Sequence, residues 1–190
     1  MKTLRTQWIV RGICWLILLS SFNLAHAAFN AGLIIGQLAT QGSANAVAIL
    51  PDQRHVLVGA AQEGLLVVDV RSAEQPVLVS KFSALQQVES IVIRGKLAFV
   101  ANGAAGLAIV DLSQLSALKR LGQLDTSSYA FDLALSPDGR TAFVANNTKG
   151  VVVIDVSQPS KPRQLAVIPS SAASAGVALS ANGSTLYIAD

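Results

Sequence analysis

Leu65-Leu66-Val67-Val68-Asp69, Leu107-Ala108-Ile109-Val110-Asp111 and Val151-Val152-Val153-Ile154-Asp155 are three versions of one motif, an apolar run closed by an aspartate. The aspartates at 69, 111 and 155 stand 42 and 44 residues apart. Aligned on them, the chain divides into units of four short strands, a to d. The first unit reads Ala46–Leu50, His55–Gly59, Leu65–Val70 and Val77–Phe82. The second reads Glu89–Ile93, Leu97–Ala101, Leu107–Asp111 and Leu118–Leu124, and the third Phe131–Leu135, Thr141–Ala145, Val151–Val156 and Arg163–Ile168. Each run is short, rich in Val, Ile and Leu, and bounded by turn residues, as strands are. No segment holds a sustained helical period. A repeat in the low forties with four strands per period predicts an all-β fold, a β-propeller of four-stranded antiparallel blades.

The turns fall at the same register. Between strands a and b stand Pro51-Asp52-Gln53-Arg54, Pro137-Asp138-Gly139-Arg140 and Ala181-Asn182-Gly183-Ser184. Proline presets φ, Asp or Asn folds back onto its own backbone, and Gly accepts positive φ. A glycine precedes strand c each time, at Gly64, Gly106 and Gly150, which predicts a backbone with φ > 0. The aspartate after strand c heads a connection such as Asp155-Val156-Ser157, where its carboxylate can accept from nearby amides. The strands are apolar on both faces, so each sheet must be covered on both sides.

Residues 1–27 are a different kind of sequence. Lys2, Arg5 and Arg11 give a basic start, Ile13–Leu19 is apolar, and Ala25-His26-Ala27 supplies small residues for a peptidase. This three-part pattern predicts a secretory leader, helical and cleaved before Ala28. Its apolar run is too short for a stable membrane span. Beyond it, residues 28–190 carry 11 Lys+Arg and 11 Asp+Glu. Without a basic cluster, nucleic acid is not the expected partner. The single cysteine, Cys14, lies in the leader, so an exported domain rests on its apolar core rather than on disulfides.

No catalytic set emerges, and no cofactor or metal is expected. His55 is the one histidine after the leader, and it aligns with Leu97, Thr141 and Thr185 at the start of strand b, a structural slot. Zinc and related metals need several His, Cys or carboxylates together. Asp69, Asp111 and Asp155 read as turn caps. Asn102, Asn146 and Asp190, which end strand b, read as turn residues too. Gly103-Ala104-Ala105-Gly106 joins two strands, whereas a phosphate cradle opens a helix. Phe99, Phe143 and Tyr187 share one blade position and suit packing between blades.

The units resemble the LVIVD-repeat group, close to the YVTN-type bacterial β-propellers. The motif strands 107–111 and 151–155 carry the resemblance, with Phe99-Val100-Ala101-Asn102, Phe143-Val144-Ala145-Asn146 and Tyr187-Ile188-Ala189-Asp190 matching its strand b, and Ser136-Pro137-Asp138-Gly139-Arg140 its a–b hairpin. It extends over essentially all of residues 45–190. It implies an exported, periplasmic or surface protein, and propellers host binding, scaffolding and catalysis alike. The first unit departs from the pattern: Val58-Gly59-Ala60-Ala61 has no asparagine, so that position is expected to be dispensable for the fold.

The expected organisation is a leader (1–27) and a repeat domain (28–190) of about 3.5 blades: an orphan strand d at 33–40, blades at 46–87, 88–128 and 129–172, and an incomplete blade at 173–190. Propellers close with four to eight blades. The expectation is therefore a piece of a longer propeller, or a ring completed by further chains, with self-association through uncovered faces. The expected function is non-catalytic: an exported module that binds a protein or glycan through its b–c loops, with Gln62, Glu63, Asn102, Asn146, Asn147 and Lys149 as candidate contacts. The alternative is the N-terminal part of a propeller enzyme, lactonase-like or redox, whose active residues lie beyond residue 190. Expressed with its leader in a bacterial host, the protein should be recovered beginning at Ala28. N-terminal sequencing that finds Met1 on the exported form would refute the leader.

Overall fold

The computed structural model describes residues 34–85 and 87–190. The leader expected at 1–27, with its helix, lies outside the described residues. The described residues form four antiparallel sheets: β1 (Ala44–Ile49) to β4 (Val77–Phe82) through β2 (His55–Ala60) and β3 (Gly64–Asp69); β5 (Ser90–Arg94) to β8 (Lys119–Leu124) through β6 (Leu97–Ala101) and β7 (Leu107–Asp111); β9 (Asp132–Leu135) to β12 (Arg163–Ile168) through β10 (Thr141–Ala145) and β11 (Val151–Asp155); and the hairpin β13 (Gly176–Leu179) with β14 (Leu186–Ala189). Neighbours in sequence are neighbours in each sheet. These are propeller blades, and the strands fall within a residue or two of those read from the repeat.

The core lies between the blades. Leu57, Leu65 and Val67 of the first blade pack with Val100, Ala108 and Val110 of the second. The intervening residues of the same second-blade strands, Phe99, Ala101, Leu107 and Ile109, pack with Val144, Val152 and Ile154 of the third. Successive side chains of a strand point to opposite faces. Because both faces of β6 and β7 meet a neighbour, both alternating sets must be apolar, which produces the unbroken runs of the motif. Phe99 fills this inter-blade space at 2% exposure, as its repeat position predicted, whereas Tyr187 in the last hairpin is 61% exposed. The outer strands are far more open, and every residue of β12 is exposed.

Strand d carries a feature absent from the sequence reading. The c–d pairing slips at the same step in each blade, between Val67 and Val68, Ile109 and Val110, and Val153 and Ile154. One extra residue is thereby left on strand d, at Val79, Leu121 and Leu165, and each is exposed. Such a bulge bends the outer strand and strengthens its twist.

Just beyond the bulge, adjacent blades touch at their outer rims. The Ser80 hydroxyl donates to the Leu115 carbonyl in the next blade's c–d connection. At the equivalent place in the second blade stands Gly122, where a Cβ would overlap the Pro159 carbonyl oxygen. Gly36 makes the same approach to Ala73 in the first blade's c–d connection. Residues 34–40, the described part of the expected orphan strand, therefore lie where a preceding blade's strand d would dock. They form no ladder, a correction to the strand expected at 33–40: among the described residues no strand c is available to pair with them.

The glycines ahead of strand c adopt the expected conformation, with φ of +84° at Gly64, +77° at Gly106 and +81° at Gly150. At each, a Cβ would also run into the carbonyl oxygen that ends the adjacent strand d: Phe82, Leu124 or Ile168. Gly95, in the tight hairpin, has φ of +58° but open space around it. Gly106→Ala should therefore lose about 2 kcal/mol or more, combining left-handed strain with a backbone clash, and Gly95→Ala about 1 kcal/mol. Urea denaturation of the two variants decides this; equal losses would contradict the geometry.

Candidate binding face

The b–c loops and the d–a connections meet at one end of the blades. Gly103 of one b–c loop bridges to Ala130 at the entry to the third blade, and Asn147 of the next bridges to Ser174. The residue that closes strand b ties down the chain arriving from the preceding blade. Asn146 accepts from the Thr126 hydroxyl at 2.7 Å and donates to the Thr126 carbonyl at 2.8 Å. Asn102 Oδ1 accepts from the Gln87 amide at 3.2 Å. Asp190 accepts from the hydroxyls of Ser170 and Ser174.

The first blade has Ala60 where the others have an amide or acid, and it solves the same problem differently. Glu63, from the b–c turn, accepts from the Gln41 amide at 2.5 Å and faces Lys81 at 3.3 Å. The position itself is dispensable, as expected, but its acceptor is not: the blade replaces it from three residues further on.

These bonds divide the expected contact residues. Gln62 and Lys149 are exposed at the loop tips, and Asn147 is half-buried with φ of +52°. Glu63, Asn102 and Asn146 are buried, at 8%, 3% and 0% exposure. The expectation that these three face a partner is corrected, because their polar atoms are turned inward to hold d–a connections. The structure thus gathers all six at one end and leaves the tips to Gln62, Ala104, Thr148 and Lys149 as its exposed residues.

At the opposite end the motif aspartates cap turns as anticipated. Asp69, Asp111 and Asp155 each accept from the amide two residues on, at 2.9, 2.8 and 3.0 Å. The Arg71 guanidinium, with the Arg71 amide, pulls Asp69 down to about 2. The Ser157 hydroxyl and amide, with Arg163, do the same for Asp155. His55 is held by Asp52 of its own hairpin at 2.6 Å. Nearer the inner strands, polar contacts pass from blade to blade: Asn45 donates to Glu89 at 3.0 Å, the Tyr129 hydroxyl donates to Glu89, and Ser90 donates to Asp132 at 2.7 Å. Burial and the Glu89 hydrogen bond push Tyr129 up to about 12.

A cleft of about 410 Å³ opens beside the second blade's b–c loop, where Gln87, Asn102, Ala104 and Ala105 meet Arg120 and Gln123 of strand d. Sequence reasoning missed Gln87, Arg120 and Gln123, which lie outside the b–c loops. The usable signal is that Arg120 and Gln123 occupy a strand position where the third blade has Gln164 and Val167. Among the described residues no group of three or more His, Cys, Asp or Glu converges.

A family profile described as the LVIVD repeat matches residues 87–126 and 129–165, the second and third blades. No curated protein matches the sequence. Among solved structures the chain is similar to hydrazine synthase of Kuenenia stuttgartiensis, with a TM-score of 0.66, 19% identity, and coverage of 85% of this chain and 45% of that one. It is similar to a Bacteroides uniformis protein provisionally assigned as a 6-phosphogluconolactonase, with a TM-score of 0.67, 16% identity, and coverage of 78% and 47%. A chain of the mitotic checkpoint complex gives a TM-score of 0.71 at 17% identity, with coverage of 86% and 53%. At such identities the likeness concerns the fold, and the chain spans about half the length of these structures.

The capped aspartates give a pH dependence with a definite sign. Their folded-state values lie below the ordinary 3.8, so their stabilisation is present above that value and is lost as pH falls toward about 2. The melting temperature should drop through that window. Asp155→Asn, which keeps an acceptor but no charge, should flatten part of the drop; an unchanged profile would show that the Arg163 pairing adds nothing.

Proposed function

For a chain that carries LVIVD repeats on propeller blades, we propose a non-catalytic role: an exported binding module that presents its b–c loop face to a protein or glycan partner. One observation carries this reading. The buried polar groups of that face serve the frame, while the exposed tips differ from blade to blade, with Gln62 in the first, Ala104 in the second, and Thr148 and Lys149 in the third. Variable tips on a repeated rigid frame are how scaffolds host recognition. Export, to the periplasm or the cell surface, is supported by the leader pattern of residues 1–27. The exposed apolar residues of the outer strands, such as Val77 at 59% and Leu165 at 51%, supply surface for self-association.

A second reading is an enzyme of lactonase or redox type to which these blades contribute half the frame. It is favoured by the similarity of fold to a hydrazine synthase and to a provisional lactonase.

The experiment is capture of envelope proteins and binding to a glycan array by the exported protein, comparing the tip variant Gln62→Ala/Lys149→Ala with Lys96→Ala in a hairpin at the opposite end. Binding should fall roughly tenfold in the tip variant and stay unchanged in the hairpin variant. Equal losses in both, or lactone hydrolysis by the purified protein, would sink the binding reading.

A further inference from the structure

The pair Asn-Gly occurs twice in the chain, at Asn102-Gly103 and Asn182-Gly183. In this dipeptide a backbone nitrogen turns on the preceding side chain most readily, because glycine puts no Cβ in the way and gives the backbone its widest range of φ. The two pairs stand at opposite ends of the blades. The first follows strand b of the second blade, and the second lies in the a–b hairpin that joins β13 to β14.

Asn102 is 3% exposed, and its backbone is fastened on both sides. Its amide donates to the Gly106 carbonyl at 2.8 Å, and its carbonyl accepts from the Ala105 amide at 3.0 Å. The Gly103 carbonyl accepts from the amides of Gly106 and Ala130, at 3.1 and 2.9 Å. Asn182 and Gly183 are exposed at a hairpin tip, as are residues 51–54 and 94–96 at the tips of the first two blades. The Gly183 amide is held by a single turn bond, to the Ser180 carbonyl at 2.8 Å. Releasing it opens the tip alone and leaves the ladder of β13 and β14 in place, the kind of local opening that costs least. Three donors converge on Asn182 Oδ1: the hydroxyls of Ser180 and Ser184, at 2.7 and 2.8 Å, and the Ser184 amide at 3.1 Å. All three engage the oxygen and none engages the NH₂.

We propose that Asn182 is a site of spontaneous deamidation. The Gly183 nitrogen attacks Asn182 Cγ, and the new N–Cγ bond closes a succinimide ring. The Cγ–Nδ2 bond breaks, and the proton of the Gly183 amide leaves with Nδ2 as ammonia. Negative charge gathers on Oδ1 during the attack, where the three donors already sit. Water then opens the ring at either carbonyl, giving aspartate or isoaspartate. The aspartate product is what the repeat uses elsewhere, since Asp52 and Asp138 occupy this hairpin position. Asp138 Oδ1 accepts from the Ser136 hydroxyl and the Arg140 amide just as Asn182 Oδ1 accepts from Ser180 and Ser184. The hairpin thereby gains a negative charge as the protein ages.

The test follows both asparagines of the full chain by peptide mapping and mass spectrometry during incubation at mildly alkaline pH, native and unfolded in urea. In the native protein Asn182 should convert roughly tenfold or more faster than Asn102. In urea the two should convert alike, because structure alone separates them. Equal rates in the native protein, a difference that persists in urea, or folding that suppresses Asn182 as strongly as Asn102 would each overturn the assignment.

Discussion

The middle strands of the three four-stranded blades, β2, β3, β6, β7, β10 and β11, are apolar on both faces, and neither face can be left to water. That constraint organises the rest. Alternate residues of β6 and β7 enter different inter-blade layers, so the second blade shares one apolar layer with the first and another with the third. No disulfide assists. A strand half-buried in a sandwich would alternate apolar with polar residues; these cannot, and the unbroken apolar runs of β3, β7 and β11 are the direct consequence. The aspartate that closes it marks where the chain leaves the layer and its polar atoms must find partners in a turn.

Apolar layers fix the spacing of blades but give little directional control over how each blade is entered. Directional bonds supply that. Asn102, Asn146 and Asp190, at the end of strand b, hold the connection arriving from the previous blade. The Glu63 substitution shows that what is maintained is an acceptor at a place in space, not an asparagine at a place in the sequence.

How much of this could be read from the sequence follows from how local each cause is. The strands, the positive-φ glycines and the Asx caps are set by residues close together in the chain, and they are legible. The repeated c–d bulge has no residue of its own: Val79, Leu121 and Leu165 look like any other strand residues. The cleft is further from view, because Gln87, Asn102 and Gln123 come from three separate elements and acquire their orientation only from backbone partners across them. The Asn102 and Asn146 side chains were legible as structural but not as buried, since burial depends on where the preceding blade's connection runs.

The rim contacts of strand d have a geometric consequence. Gly36, Ser80 and Gly122 are the residues on which one blade leans against the carbonyl oxygens of the next. Blades splay outward from an axis like wedges, and a wedge's angle is set by how far apart its outer edges stand relative to its inner ones. Small residues at this place draw the rims together and narrow the wedge. In any closed circle the wedges must share one full turn, so narrower wedges mean a larger number of them. The bulk of a single side chain on each outer strand is thereby a gauge of circumference: enlarging all of them would favour a circle of fewer, wider blades with a tighter central bore.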